Sequence, residues 1–184
     1  RELIVNGAKE IVQNYDVDGI HMDDYFYPTF NSSNVNSAFD AKEYKASTMG
    51  KHKNGIVAFR RQQVNALVKA IHSAVKATKP NVTFGISPAG NIDNLTSKYS
   101  YYVDINKWLN SHDYVDYICP QIYWGFKHPY AKFDRVTKRW MKAAKSKKVK
   151  VGGGNKKSNL FIPYVLTRVL QNVMRAGTFQ IVIN

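Results

Sequence analysis

The chain has 184 residues, 44% of them apolar and 22% charged, and a formal net charge of +14. That composition suits one globular domain with a sizeable core, and no apolar run approaches the roughly 20 residues that a bilayer requires. The lone cysteine, Cys119, excludes an intrachain disulfide, and its apolar surroundings predict a buried core thiol. The charge balance favours acidic partners such as nucleic acid, anionic wall polymers or a membrane surface. Most of the excess is lysine, spread over helical segments and densest in residues 138–150, as a solvated basic surface would be.

Arg1 opens directly into a helical pattern, so the start reads as mid-domain, and the absence of a leader says nothing about compartment. Residues 2–15 predict an amphipathic helix with Leu3, Ile4, Ala8, Ile11, Val12 and Tyr15 on one stripe. Residues 17–23 predict a strand. The Asn- and Ser-rich stretch over 31–54 is long for a connection and reads as functional or partly mobile. A helix follows from Ile56 to Lys79 and is stopped by Pro80. Further strands are expected at 82–87, 115–122, 149–151 and 179–183, with helices at 105–110, 133–144 and 163–175. Pro163 suits the first turn of the last of these.

Strands alternating with helices predict parallel βαβ units, with a repeat of roughly 30 residues that suits a (β/α)-barrel or a doubly wound sheet. No glycine-rich dinucleotide fingerprint follows the first strand, which weakens the doubly wound option. About five strands are legible, whereas a closed barrel needs eight. The chain is therefore expected to be the later part of an α/β barrel, lacking strands at its N-terminal side, with residues 1–184 forming one portion of a single domain.

Alternation along the first strand puts Ile20 and Met22 under the helices and Gly19, His21 and Asp23 on the interior face. Asp24 lies at the strand's C-terminal end, where barrel enzymes carry their active sites. Two adjacent carboxylates repel and are costly to bury, so packing alone does not account for Asp23-Asp24. An N-cap or a solvated loop acid is the competing structural explanation. In the strand over 115–122, Tyr117, Cys119, Gln121 and Tyr123 are expected to face inward and Trp124 to cap the end. An amide beside aromatic rings suits sugars, which present C–H faces and a rim of hydroxyls. The inward residues of the second strand, Thr83, Gly85 and Ser87, are small and predict room for a ligand, with Asn91 and Asp93 in the loop beyond.

Five runs carry a resemblance to a known family: YDVDGIHMDDYFYP over residues 15–28, FRRQQVNAL over 59–67, KPNVTFGISPAGNIDN over 79–94, YVDINKWL over 102–109 and YVDYICPQIYWGF over 114–126. Together they resemble the glycosyl-hydrolase-10-like barrel domains of bacterial envelope and secreted proteins, over roughly residues 1–145. The resemblance implies a TIM-type (β/α)8 barrel in which YDVDGIHMDD is the fourth strand and the first three are absent. It implies hydrolysis of a bacterial cell-wall or exopolysaccharide glycan and export to the cell envelope or beyond; no cofactor is assigned. It assigns the acidic pair to Asp23 and Asp24 and sugar contacts to Tyr25, Tyr27, Asn91, Gln121, Tyr123 and Trp124. Gln62-Gln63 departs from the family's usual acidic residue and Asn after the double arginine, and the match fades after Val151.

Two mechanisms are compatible with so few acids. Asp24 can act as general acid with a second carboxyl from Asp93 or from the missing strands. Alternatively, adjacent acids can serve a substrate-assisted reaction on an N-acetylhexosamine, one orienting the acetamido group and the other protonating the leaving oxygen. His21 is placed to hydrogen-bond Asp23 and tune it. A hard-cation site built from Asp16, Asp18, Asp23 and Asp24 is the rival enzyme reading, but Asp18 falls on the helix-facing side and the histidines lack metal-site spacing, so no metal is assigned. A non-catalytic glycan-binding module, or an inactive barrel remnant, is the alternative outside enzymes. No nucleic-acid motif appears. Exposed strand edges predict association with a missing N-terminal segment or with a second copy.

Overall fold

A computed structural model describes residues 1–23, 26–27, 39–51, 55–97, 101–144, 149–151 and 179–182. The segment expected to form a helix over 163–175 lies outside them. Helix α1 (Glu2–Asn14) leads into strand β1 (Gly19–Asp23). Next come α2 (Ala41–Ala46), a 3-10 turn (Thr48–Lys51) and the long α3 (Gly55–Thr78). Strand β2 (Thr83–Ser87) is followed by two short helices, α4 (Ile92–Thr96) and α5 (Ile105–Leu109). Then come β3 (Tyr117–Ile118), α6 (Phe133–Ala143), β4 (Lys150–Val151) and β5 (Phe179–Val182).

The strands form one sheet in the order β4-β3-β2-β1-β5. Strands β1 to β4 are parallel neighbours, as the βαβ repeat predicts. The last strand departs from it: β5 runs antiparallel to β1, pairing Gly19 with Val182 and Met22 with Phe179. It thereby satisfies backbone groups on the edge of β1 that faces away from β2, an edge that a purely parallel run of this chain would leave bare.

Ile20 and Met22 of β1, Phe84 and Ile86 of β2 and Ile118 of β3 are buried in one apolar cluster with Ala8 and Val12 of α1 and Val64, Val68, Ile71 and Val75 of α3. The helix-facing side of the sheet is therefore the side that strand alternation predicts. Two residues of the α1 stripe fall outside this core: Leu3 is 85% exposed and Tyr15 is 59% exposed, because the contact is confined to the middle of the helix.

Strand β3 is much shorter than the predicted 115–122. Pro120 has no N–H to give to a ladder, and the pairing resumes only as an isolated bridge between Ala89 and Gln121. The supposed long connection over 31–54 carries α2 and the 3-10 turn in its described part, where Tyr44 packs with Ile56 and Phe59.

Candidate functional site at the strand ends

The interior face of the sheet is built in rows. The register sets His21 beside Gly85, and Gly85 beside Tyr117. A methyl group on Gly85 would lie 2.1 Å from Cζ of Tyr117, so the phenol ring lies directly over the glycine. The space expected to admit a ligand at Gly85 is thus filled by Tyr117, whose aromatic bulk balances the missing side chain across the ladder. His21 stacks on the same ring, with centroids 5.6 Å apart, and its Nδ1 is 2.9 Å from the Tyr117 hydroxyl. The expected His21–Asp23 bond is replaced by this one. Burial pushes His21 down to about 4, so the imidazole is neutral near pH 7. Burial also raises the Tyr117 phenol.

One row nearer the C-terminal ends, Asp23 pairs in register with Ser87. Gln121 Nε2 donates to the Ser87 carbonyl at 2.8 Å and to Asp23 Oδ1 at 3.3 Å. Ser87 Oγ donates to the Cys119 carbonyl at 2.8 Å. Three strands are therefore laced together around Asp23, and Gln121 contacts the acid directly. Asp23 is half-buried, and desolvation raises its pKa above the ordinary carboxylate value. Cys119 is half-buried where a fully buried thiol was expected, and burial pushes it up to about 11, so it remains a protonated thiol near pH 7. Asp24 and Tyr25 lie outside the described residues.

Tyr27 belongs to a different cluster. Arg60 of α3, 1% exposed, donates from Nε and Nη2 to the two oxygens of Asp40, at 2.7 and 2.8 Å, and from Nη1 to the Tyr102 hydroxyl at 2.9 Å. The guanidinium also lies 5.6 Å from the ring centre of Tyr27. Desolvation, followed by the neighbouring Asp40 carboxylate, raises the Tyr27 phenol. Arg60, Asp40 and Tyr102 were not singled out in the sequence. The double arginine inside an amphipathic helix was the available signal, since a buried position of that helix demands a paired charge.

The remaining candidates sit beside the β2–α4 turn. Asn91 caps α4, its Oδ1 accepting from the Asp93 backbone at 2.9 Å. Asp93 makes a two-pronged ion pair with Arg139 of α6, and the hydrogen bonds from Arg139 hold its carboxyl below the usual range. Trp124 is half-buried beside Gly90, while Tyr123 is 68% exposed. The structure thus brings together Asp23 and Gln121 at the strand ends, keeps His21 one row below on Tyr117, sets Asn91, Asp93 and Trp124 around a neighbouring pocket, and puts Tyr27 on the Arg60 cluster.

A half-buried acid with a raised pKa, held by an amide at the C-terminal end of parallel strands, can orient a substrate amide or exchange a proton with a bound group. Among the described residues no group of three or more His, Cys, Asp or Glu side chains is gathered as a metal site would require. No helix among them is long and apolar enough to cross a membrane.

Comparison with known proteins reaches further along the chain than the five sequence runs do. The family described as Glycosyl hydrolase-like 10 matches residues 1–169. The chain is 36% identical over 169 residues to "Glycosyl hydrolase YngK" of Bacillus subtilis, an alignment covering 81% of this chain and 31% of that protein. It is 31% identical over 157 residues to "Glycosyl hydrolase DigH" of Escherichia coli, covering 79% of this chain and 34% of that protein. The chain therefore spans about a third of the length of these curated relatives. By the extent of the family match and the identity to these relatives, this chain belongs to the Glycosyl hydrolase-like 10 family.

Proposed function

We propose that this chain is the later part of a (β/α)-barrel glycoside hydrolase acting on a bacterial cell-wall or exopolysaccharide glycan, with Asp23 and Asp24 as its catalytic acids. The observation that carries the reading is the setting of Asp23: a carboxyl raised by burial, held by Gln121, where three parallel strands end. Family membership supports the hydrolase class, and the relatives are named glycosyl hydrolases.

The substrate-assisted route suits these residues better than a pair formed with Asp93, whose carboxylate is engaged by Arg139. Gln121 binds Asp23 Oδ1, which leaves Oδ2 to accept from the N–H of a substrate acetamido group. The acetamido oxygen then attacks the anomeric carbon while Asp24 protonates the departing glycosidic oxygen. Water opens the resulting oxazolinium, returning its proton to Asp24 and leaving the configuration retained. An exported protein would meet such a polymer at the cell envelope or outside it.

The test is digestion of chitooligosaccharides and of purified wall glycan, followed by release of new reducing ends. Hydrolysis is the expected result. Saturable binding of these glycans without any new reducing end would instead establish the non-catalytic glycan-binding module.

A further inference from the structure

Beside the strand ends, the turn after β2, the loop after β3 and one face of α6 enclose a pocket that the chemistry proposed above does not use. Its walls include Asn91, Trp124, Tyr130, Arg135 and Trp140. Several of these are fixed. Trp140 is fully buried and donates from Nε1 to the Gly90 carbonyl at 2.8 Å. Gly90 in turn makes room for Trp124, since a Cβ there would lie 2.9 Å from Cζ3 of the indole and 2.4 Å from the Gln121 carbonyl. Only glycine lets the Trp124 ring rest against this turn, so the aromatic wall is set by the backbone beneath it.

The polar groups differ in what they have left to offer. Arg139 is engaged by Asp93. Arg135, one helical turn earlier on the same face, is exposed and makes no ion pair among the described residues. The Asn91 side-chain oxygen is spent on the α4 cap, and its amide N–H groups have no acceptor among the described residues. Tyr130, 89% exposed, stands at the rim. An aromatic face, an uncommitted guanidinium and an amide donor around one hollow match a pyranose ring that carries a carboxylate: C–H groups against the indole, the carboxylate on Arg135, a hydroxyl on the amide.

We propose that this pocket is a second sugar-binding subsite, apart from Asp23, that selects an acidic sugar unit of the polymer. It rests on the glycan-hydrolase reading for its place in a substrate, but binding there requires no turnover. Gln121 links the two places, since its side chain touches Asp23 while its carbonyl lies under the turn that supports Trp124. A polymer occupying both would be held away from its scissile bond by the acidic unit.

The experiment is an NMR titration of the intact chain carrying Asp23→Asn, following the indole N–H signals of Trp124 and of fully buried Trp108, with glucuronate and with glucose. Glucuronate is expected to move the Trp124 signal saturably and leave Trp108 in place, binding about tenfold tighter than glucose, as one charge-assisted contact provides. Arg135→Ala is expected to erase that preference while the Trp108 signal reports an intact fold. An unmoved Trp124 signal, equal binding of the two sugars, or a preference that survives Arg135→Ala would each overturn the subsite. Because the assay contains no hydrolysis, a failed digestion with retained glucuronate binding would count against the enzyme reading alone.

Discussion

At the scale of single residues, the row His21–Gly85–Tyr117 shows how closely the interior face is filled. A methyl group at Gly85 has nowhere to go but into the Tyr117 ring. Gly85→Ala is expected to lower stability by about 1–3 kcal/mol, as overpacking does, with urea denaturation as the measure and with strong non-additivity against Tyr117→Leu. His21 supplies a pH dependence. Its folded pKa is depressed from 6.5 to about 4 by burial, so between those values the unfolded chain binds a proton that the folded chain refuses. The resulting stability is complete above pH 6.5 and is lost as pH falls, about 3 kcal/mol by pH 4. Denaturation midpoints at pH 7 and pH 4.5 should separate for the wild type and draw together in His21→Gln. Strand alternation made the orientation of His21 and Asp23 legible in the sequence. It did not reveal which partner His21 would choose, because Tyr117 reaches it only through the register of two neighbouring strands.

At the scale of elements, Arg60 ties α3 to the start of α2 and to Tyr102, which adopts a left-handed backbone with φ of 56°. Its guanidinium also faces Tyr27, shortly after the Asp23-Asp24 pair. Removing either partner of a buried ion pair strands the other charge, so Arg60→Met and Asp40→Ala are each expected to cost about 3–5 kcal/mol. The double variant should cost clearly less than their sum, which thermal unfolding of all four proteins would establish. The long periodic helix and the principal strands were legible because their apolar spacing is regular over many residues. Helices α2 and α4 were not, each being about a turn and a half long with too few apolar positions to set a period. The truncation of β3 follows from Pro120, a breaker that the apolar alternation around it masks.

For the whole molecule, the parallel set β1–β4 gathers its C-terminal ends on one side, and Asp23, Ser87 and Gln121 meet there. That convergence was readable as soon as the strands were taken as parallel, since strand ends and active sites coincide in such folds. The antiparallel return of β5 was not readable: a strand of four residues carries no mark of its direction. The net charge of +14 acquires a more specific meaning beside the strand ends, where Arg135 has no ion-pair partner among the described residues and, on the subsite proposed above, would draw a glycan carrying negative charge. The acid pair is tested most directly by the turnover number for reducing-end release by wild type and by Asp24→Asn, with thermal stability checked in parallel. General acid catalysis predicts a loss of about 10²–10⁴-fold in the variant with its melting temperature unchanged; turnover equal to that of the wild type would contradict it.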